Sequence, residues 1–413
     1  MWRRTVCLVN TSVSTDGGCF PTIRFASRVL SVGAPPERGD EIVDLNGAHV
    51  LPGLVNAHDH LELNHFGRLK FRARYESVSE WIDDMRPRLH SDPHIRESRS
   101  HSLSDRLFHG GLKNVFSGVT TVAHHNPLYR ELKRSFPVRL VRRFGWAHSF
   151  FLSGQPVGAR GEQATDMKRA FDATPRGAPF LVHIAEGVDA GSREELRRLH
   201  ELGCLSDNTV LVHGVGFSTG DWRLARSKGA GLVWCPSSNL FLFERTASVE
   251  AFVADNGQPA LRQPLCLGTD SRLTGSRDLL EELRVARSAA PSLGPNELLH
   301  MVTAAPAKLL RAPWAGRLTP GAPADLIAVP RHDESPAEAL IATRRNDLLL
   351  VTKSGRPMVA VPELSCVFAA RSVGAHPGEL DGKPRLFDAV LARRMARSAL
   401  AEEGVRLSKH ASA

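Results

Sequence analysis

The run "LPGLVNAHDH", beginning at Leu51, is apolar until it stops at His58-Asp59-His60. Alternate residues of a strand point to the same side, so His58 and His60 can face one interior point. A His-x-His pair alone is weak evidence, because a helix cap or a surface pair has the same spelling. Other apolar runs end in the same kind of residue. They are "FLVHIAEG" with His183 and Glu186, "VLVHGVG" with His213, and "CLGTDS" with Asp270. Three imidazoles and a carboxylate suit Zn²⁺ or another borderline divalent ion, at about 2.0–2.2 Å for nitrogen and oxygen donors. Such an ion lowers the pKa of its bound water from about 15.7 to about 7 and so supplies a nucleophile at neutral pH.

Residues this far apart need a scaffold that gathers strand ends. From residue 49 to 314 strand-like runs alternate with helix-like segments: "GVTTVAHH", "RLVRRFGWAHSFFL", "APFLVHIAE", "NTVLVHGVG", "GAGLVWCPSSN" and "PLCLGTDS". This alternation predicts an α/β fold, a distorted (β/α)₈ TIM-like barrel whose polar residues converge at the carboxyl ends of its strands. The count is one strand short between "TTVAHH" and "APFLVHIAE", unless "RLVRRFGWAHSFFL" holds two. Within "SREELRRLHELG", Ser192 and Glu195 fit a capping box and Gly203 a stop. Residues 1–48 and 315–366 read as short strands and turns, expected to form one small β-sandwich from both chain ends. Residues 367–413 are expected to be a helical extension, with "LFDAVLARRMARSALAEEG" as an amphipathic surface helix or a homodimer contact.

Composition narrows the function classes. The 413 residues are 42% hydrophobic and 23% charged, as in ordinary globular proteins. No apolar run reaches the ~20 residues of a membrane helix, and the N-terminal stretch has no signal-peptide core, so a cytoplasmic location is expected. The six cysteines are scattered, which points to free thiols in a reducing compartment. Net charge is +9, but the arginines are dispersed and no basic run interleaves with aromatics. The expected partner is a small-molecule substrate, with neither nucleic acid nor membrane.

Taken in order, "VLPGLVNAHDH", "GVTTVAHHNP", "HIAE", "LVHG", "CPSSN", "LGTDS", "TAAPAKLL" and "GRLTPGAPADLIAV" are spread over most of the chain. In these motifs it resembles the amidohydrolase superfamily, specifically the cytosine/guanine deaminase and chlorohydrolase branch. The resemblance implies the same barrel with an end-built β-sandwich. It also implies that His58, His60, His183 and Asp270 bind one metal ion, Zn²⁺ first and Fe²⁺ as the alternative. Relatives with two ions bridge them by a carboxylated lysine near the fourth strand. The only lysine between Lys133 and Lys228 is Lys168, in a helix-like segment, which favours a single ion.

On this reading Asp270 takes a proton from water, Glu186 protonates a ring nitrogen, and His213 holds the attacked oxygen, so that an aminated heterocycle loses ammonia. Substrate contacts are expected from Glu62, Asn64 and Arg68 just past the first histidines, and from His125, Trp146 and Asn239. Ser153 and Arg272 are further candidates. The same donors would also serve hydrolysis of an amide, a cyclic amide or a carbon–halogen bond. A catalytically silent scaffold would be expected to have lost ligands, and this chain keeps the full set.

Overall fold

The computed structural model describes residues 4–133, 135–152, 156–157, 162–163, 166–253, 264–331 and 335–408. Its centre is a ring of short strands: β1 (Leu54–Asp59), β2 (Val119–His124), β3 (Arg139–Leu140), β4 (Gly145–Ala147), β5 (Phe180–Ile184), β6 (Thr209–His213), β7 (Gly231–Trp234) and β8 (Leu265–Leu267). They pair in parallel as a three-stranded sheet, β3-β2-β1, and a five-stranded sheet, β4-β5-β6-β7-β8. The segment "RLVRRFGWAHSFFL" does hold two strands, β3 and β4. Each is so short that one apolar run in the sequence covers both.

The strands are buried on both sides, as parallel sheets wrapped in helices must be. Val55, Ala57, Leu181, Val210, Val212, Val233 and Cys266 share an interior cluster. Leu54, Val122, Val182, Leu211, Leu232 and Leu265 pack outward against the helix layer. The two sheets meet where the Asp270 N–H donates to the His58 carbonyl at 3.1 Å. That seam is tight enough to need glycine: a Cβ on Gly268 would lie 2.6 Å from the His58 Cβ.

Four helices position the site: α1 (Leu103–Phe116), α2 (Ala190–Glu201), α3 (Pro236–Phe243) and α4 (Leu279–Ala289). The cap of α2 differs from the sequence expectation. Asp189 is its N-cap and accepts from Ser192 N–H, while Glu195 turns inward to accept from Ala185 N–H at 2.7 Å. An aspartate three residues earlier starts the helix one turn sooner, so Ser192 lies inside it as the third helical residue. The expected stop holds, with Gly203 at φ +68°.

Two further sheets come from the chain ends. One has four strands from residues 6–44; the other has nine, from residues 12–20, 49–52 and 326–407. They share a buried cluster that includes Val6, Phe25, Val50, Leu326 and Phe368. The strand His49–Pro52 runs straight into β1 through Gly53, so this sheet anchors the strand that carries His58.

The C-terminal expectation needs correction. Strands Ala375–Leu380, Lys383–Asp388 and Val405–Leu407 occupy most of it, and the helix α5 covers only Ala389–Met395. Asp381 and Gly382 both have positive φ, 47° and 79°, as a two-residue hairpin turn requires. "LF" ends a strand here, and Asp388 caps α5 through the amides of Val390 and Leu391. No helix among the described residues is long and apolar enough to cross a membrane.

Candidate metal and acid–base site

His58, His60, His183 and Asp270 meet at the carboxyl ends of β1, β5 and β8. Nε2 of His60 and Nε2 of His183 lie 3.3 Å apart, and Asp270 Oδ1 lies 3.9 Å from His58 Nε2 and 3.8 Å from His60 Nε2. Two ligands bonded at 2.0–2.1 Å to one tetrahedral ion are separated by roughly 3.3 Å, so the imidazole pair fits such an ion. His58 Nε2 is fully buried and has no hydrogen-bond partner among the described residues. A buried polar atom left this way is costly unless something ligates it. The donors therefore fit a divalent ion of the zinc class.

Hydrogen bonds at the far side of two rings, His58 and His183, fix the tautomer. The Ala147 carbonyl can only accept, so His125 Nε2 carries a proton and donates to it at 2.8 Å. Burial and the neighbouring imidazoles push His125 well below its ordinary pKa, so it is neutral and its Nδ1 is an acceptor. His58 Nδ1 donates to that atom at 3.2 Å, which leaves the His58 Nε2 lone pair for an ion. His183 follows the same rule, with Nδ1–H donated to the His148 carbonyl at 2.8 Å. The His125 and His183 rings stack with centroids 4.1 Å apart and planes 2° apart, which locks both orientations.

Local backbone geometry aims the remaining groups. Val210 and Val212 face the interior, so on a regular strand His213 would point to the helices. Its φ of +75° turns it inward, to within 5.5 Å of the His183 ring. Ala185 and Asp270 also take left-handed conformations, at +55° and +53°. Non-glycine residues held there cost free energy, and three together at strand ends mark a site the surrounding fold over-determines. On β1, the pairing irregularity between Asn56 and Asp59 shifts the alternation once. Asn56 and Asp59 then both reach α1, while His58 and His60 face the interior.

Glu186 lies beside the cluster, its Oε1 3.5 Å from His213 Nε2. Burial raises its pKa well above the ordinary carboxyl range, and the nearby charges of Asp270 and Glu195 add to this. Its protonated form is therefore favoured. His213 donates from Nδ1 to Asn239 Oδ1 at 2.8 Å, and Asn239 donates in turn to Thr246. Burial would raise Asp270, but His60, His213 and the Ser238 hydroxyl hold it below its ordinary value. Its Oδ2 accepts from Ser238 at 2.8 Å and from Thr274 at 3.0 Å.

The expected substrate contacts fall into distinct positions. Glu62 is buried and accepts from Asn126 at 2.6 Å. Asn64 is also buried: it donates to Asp59 and accepts from Lys113 and from Arg272 N–H. Arg68 bonds the Gly275 carbonyl and the Ser237 hydroxyl. His125 and Asn239 hold His58 and His213, as above. Trp146 packs edge-on to His125 with centroids 6.1 Å apart. The Arg272 guanidinium is taken up by Glu402, at 2.7 and 2.9 Å. Ser153 lies outside the described residues. Lys168 is an exposed helix residue paired with Asp172, not an interior lysine.

Sequence reasoning missed the polar layer beneath the cluster. Lys113 on α1 is completely buried and donates to Asn64 Oδ1 (2.7 Å), Thr269 Oγ1 (2.9 Å), the Asp270 carbonyl (3.0 Å) and Asp59 Oδ2 (3.4 Å). Asn114 adds a bond to Asp59 at 2.8 Å. The one available signal was a lysine at a core position of an amphipathic helix, which is rare unless the charge is paired. Glu282 on α4 was missed as well. It is buried, it accepts from Ser237 N–H and the Ser276 hydroxyl, and burial raises it to about 8.

Comparison with known proteins bears on the family and the fold. Residues 154–358 match the amidohydrolase family. The chain is 27% identical over 381 residues to a 5-methylthioadenosine/S-adenosylhomocysteine deaminase of Halobacterium salinarum, covering 78% of this chain and 83% of the relative. It is 24% identical over 345 residues to a 5'-deoxyadenosine deaminase of Methanosarcina mazei, covering 71% and 75%. Among solved structures it resembles the zinc complex of atrazine chlorohydrolase from Arthrobacter aurescens, with a TM-score of 0.68, 18% identity, and 89% and 99% of the two chains covered. An adenosine deaminase from Xanthomonas campestris with bound zinc matches with a TM-score of 0.64 and 17% identity, covering 89% and 97%.

Proposed function

We propose, from the premise that the chain belongs to the amidohydrolase superfamily, that it is a metal-dependent hydrolase that removes ammonia from an aminated heterocycle. The observation that carries this reading is Glu186. It is a buried carboxyl with a raised pKa, three residues beyond His183 and beside the donor cluster. Its protonated form can serve a ring nitrogen, which an exocyclic amine on an sp² carbon needs in order to leave.

His58, His60, His183 and Asp270 would hold one divalent ion, zinc first and ferrous iron as the alternative. When bound, that ion supplies Lewis acidity and acidifies a water molecule. Asp270 receives a proton and later returns it to the departing ammonia. Glu186 delivers its proton to the ring nitrogen. His213, held by Asn239, presents Nε2 to the oxygen on which charge develops. The two end-built sheets, on this reading, are one small sandwich domain that braces β1 and leaves the chemistry to the barrel. The substrate is a small molecule met in the cytoplasm.

The named substrates of the deaminase relatives make 5'-modified adenine nucleosides the first compounds to try. The assay is ammonia release by the zinc-loaded protein from adenine nucleosides, aminated pyrimidines and aminated triazines, with chloride release from chlorotriazines in parallel. Ammonia release is expected. Glu186→Gln should keep one stoichiometric metal and lose about 10²–10⁴-fold in turnover. Halide release without ammonia, or unchanged turnover in the variant, would overturn the proposal.

A further inference from the structure

A cavity of about 550 Å³ lies away from the metal cluster and shares no lining residue with it. Its walls come from α1, the segment Ser135–Pro137, the strands Leu350–Lys353 and Arg356–Ala360, and α5. Phe108, Phe136, Pro137, Met358 and Leu391 make much of this lining apolar. Four cations also reach it, Lys353, Arg356, Arg371 and Arg394, against one carboxylate, Asp388.

That carboxylate is already engaged, because Asp388 pairs with Arg356 and accepts from two α5 amides. Lys353 Nζ donates to the Phe136 carbonyl, and no ion pair is found for it among the described residues. Burial lowers the Lys353 pKa to about 8, with the Arg139 charge adding to the effect. Arg394 lies over the Phe108 ring, 4.0 Å from its centroid, and donates to the Ser135 carbonyl at 3.3 Å. Carbonyl and ring partners orient a cation without cancelling its charge. A half-buried cation in this state favours an anion that can reach it. The volume is that of a small-ligand site, and the mixture of apolar wall and a few convergent polar groups is the usual lining of one.

We propose that this cavity binds a small organic anion, a carboxylate or phosphate monoester with an apolar body, whose charge is held by Lys353 and Arg394. The site is independent of the catalytic reading and does not depend on its success.

Isothermal titration calorimetry of the zinc-loaded full chain with octanoate, octyl phosphate and octanol tests it. One of the two anions is expected to bind at one per chain, and the tighter one identifies the head group; octanol should bind at least about tenfold more weakly. Lys353→Gln and Arg394→Gln should each weaken the anion by about tenfold, the scale of one charge-assisted hydrogen bond, while Lys353→Arg stays close to the parent. Should Lys353→Gln fail to fold, Arg394→Gln and the comparison of anion with octanol on the parent protein decide the matter. Equal binding of anion and alcohol, or no loss in either glutamine variant, would refute the site.

Discussion

Lys113→Met should damage this protein as much as emptying a core position does, because of what it leaves behind. The methionine fits the volume, but the Asp59 carboxylate loses the one buried cation paired with it among the described residues, and the Asp270 carbonyl loses a donor. Removing one partner of a buried ion pair costs about 3–5 kcal/mol. Asp59 keeps amide donors from Asn64 (2.8 Å), Asn114 (2.8 Å) and Asn56 (3.3 Å), which places the loss near the lower end, about 3 kcal/mol. Asp59→Asn in the same chain removes the stranded charge, so the double variant should be less destabilised than the sum of the singles by about 2 kcal/mol. Urea unfolding followed by tryptophan fluorescence gives the four midpoints of this cycle, and zinc titration of each protein reports on the Asp270 side. If Lys113→Met lies within about 0.5 kcal/mol of the parent, or the two substitutions simply add, the pair does not hold the site as argued.

Other expectations follow from the same geometry. His125→Phe keeps the stack on His183 but removes the acceptor for His58 Nδ1; zinc affinity should fall about 10–100-fold by competition with a chelating dye, whereas an unchanged affinity would show that the tautomer is set elsewhere. Glu195 gives a pH signature. Burial raises its folded pKa from 4.5 to about 7, so between those values the folded state binds the extra proton and stability falls as pH rises. The fall should amount to on the order of 3 kcal/mol and level off above about pH 7; Glu195→Gln should flatten that part of the melting-temperature profile, and an unchanged profile would assign the dependence to another group.

The donor cluster was legible because its members end apolar runs, and barrel topology turns ends of strands into neighbours in space. That rule and the side-chain types gather His58, His60, His183, Glu186, His213 and Asp270, and the resemblance to the amidohydrolases singles out four of them as the donors. The aim of His213 was not legible, since strand alternation points it outward and only a left-handed backbone reverses it. Lys113, Asn114 and Asn56 form one network drawn from a helix and a strand 58 positions apart in the Asn56–Asn114 case, and no local pattern announces such a pairing. β3 and β4 were hard to separate because they have two and three residues. The C-terminal misreading has a different cause. Apolar spacing in "LFDAVLARRM" fits a helix, yet the Asp381-Gly382 turn pairs its first residues with Ala375–Leu380 before the helix can begin.

The grip of Glu402 on Arg272 has a consequence for how the protein matures. Glu402 is fully buried and accepts from Arg272 and Arg345, and its pKa is held at about 2 against burial, chiefly by Arg272. Arg272 stands two residues past Asp270, so the loop that completes the donor cluster is latched by a residue 130 positions later. On the ribosome the barrel strands emerge well before that latch does. Until synthesis has passed Glu402, the loop that follows Asp270 lacks this latch, while Ser238 and Thr274 can already hold the Asp270 carboxylate.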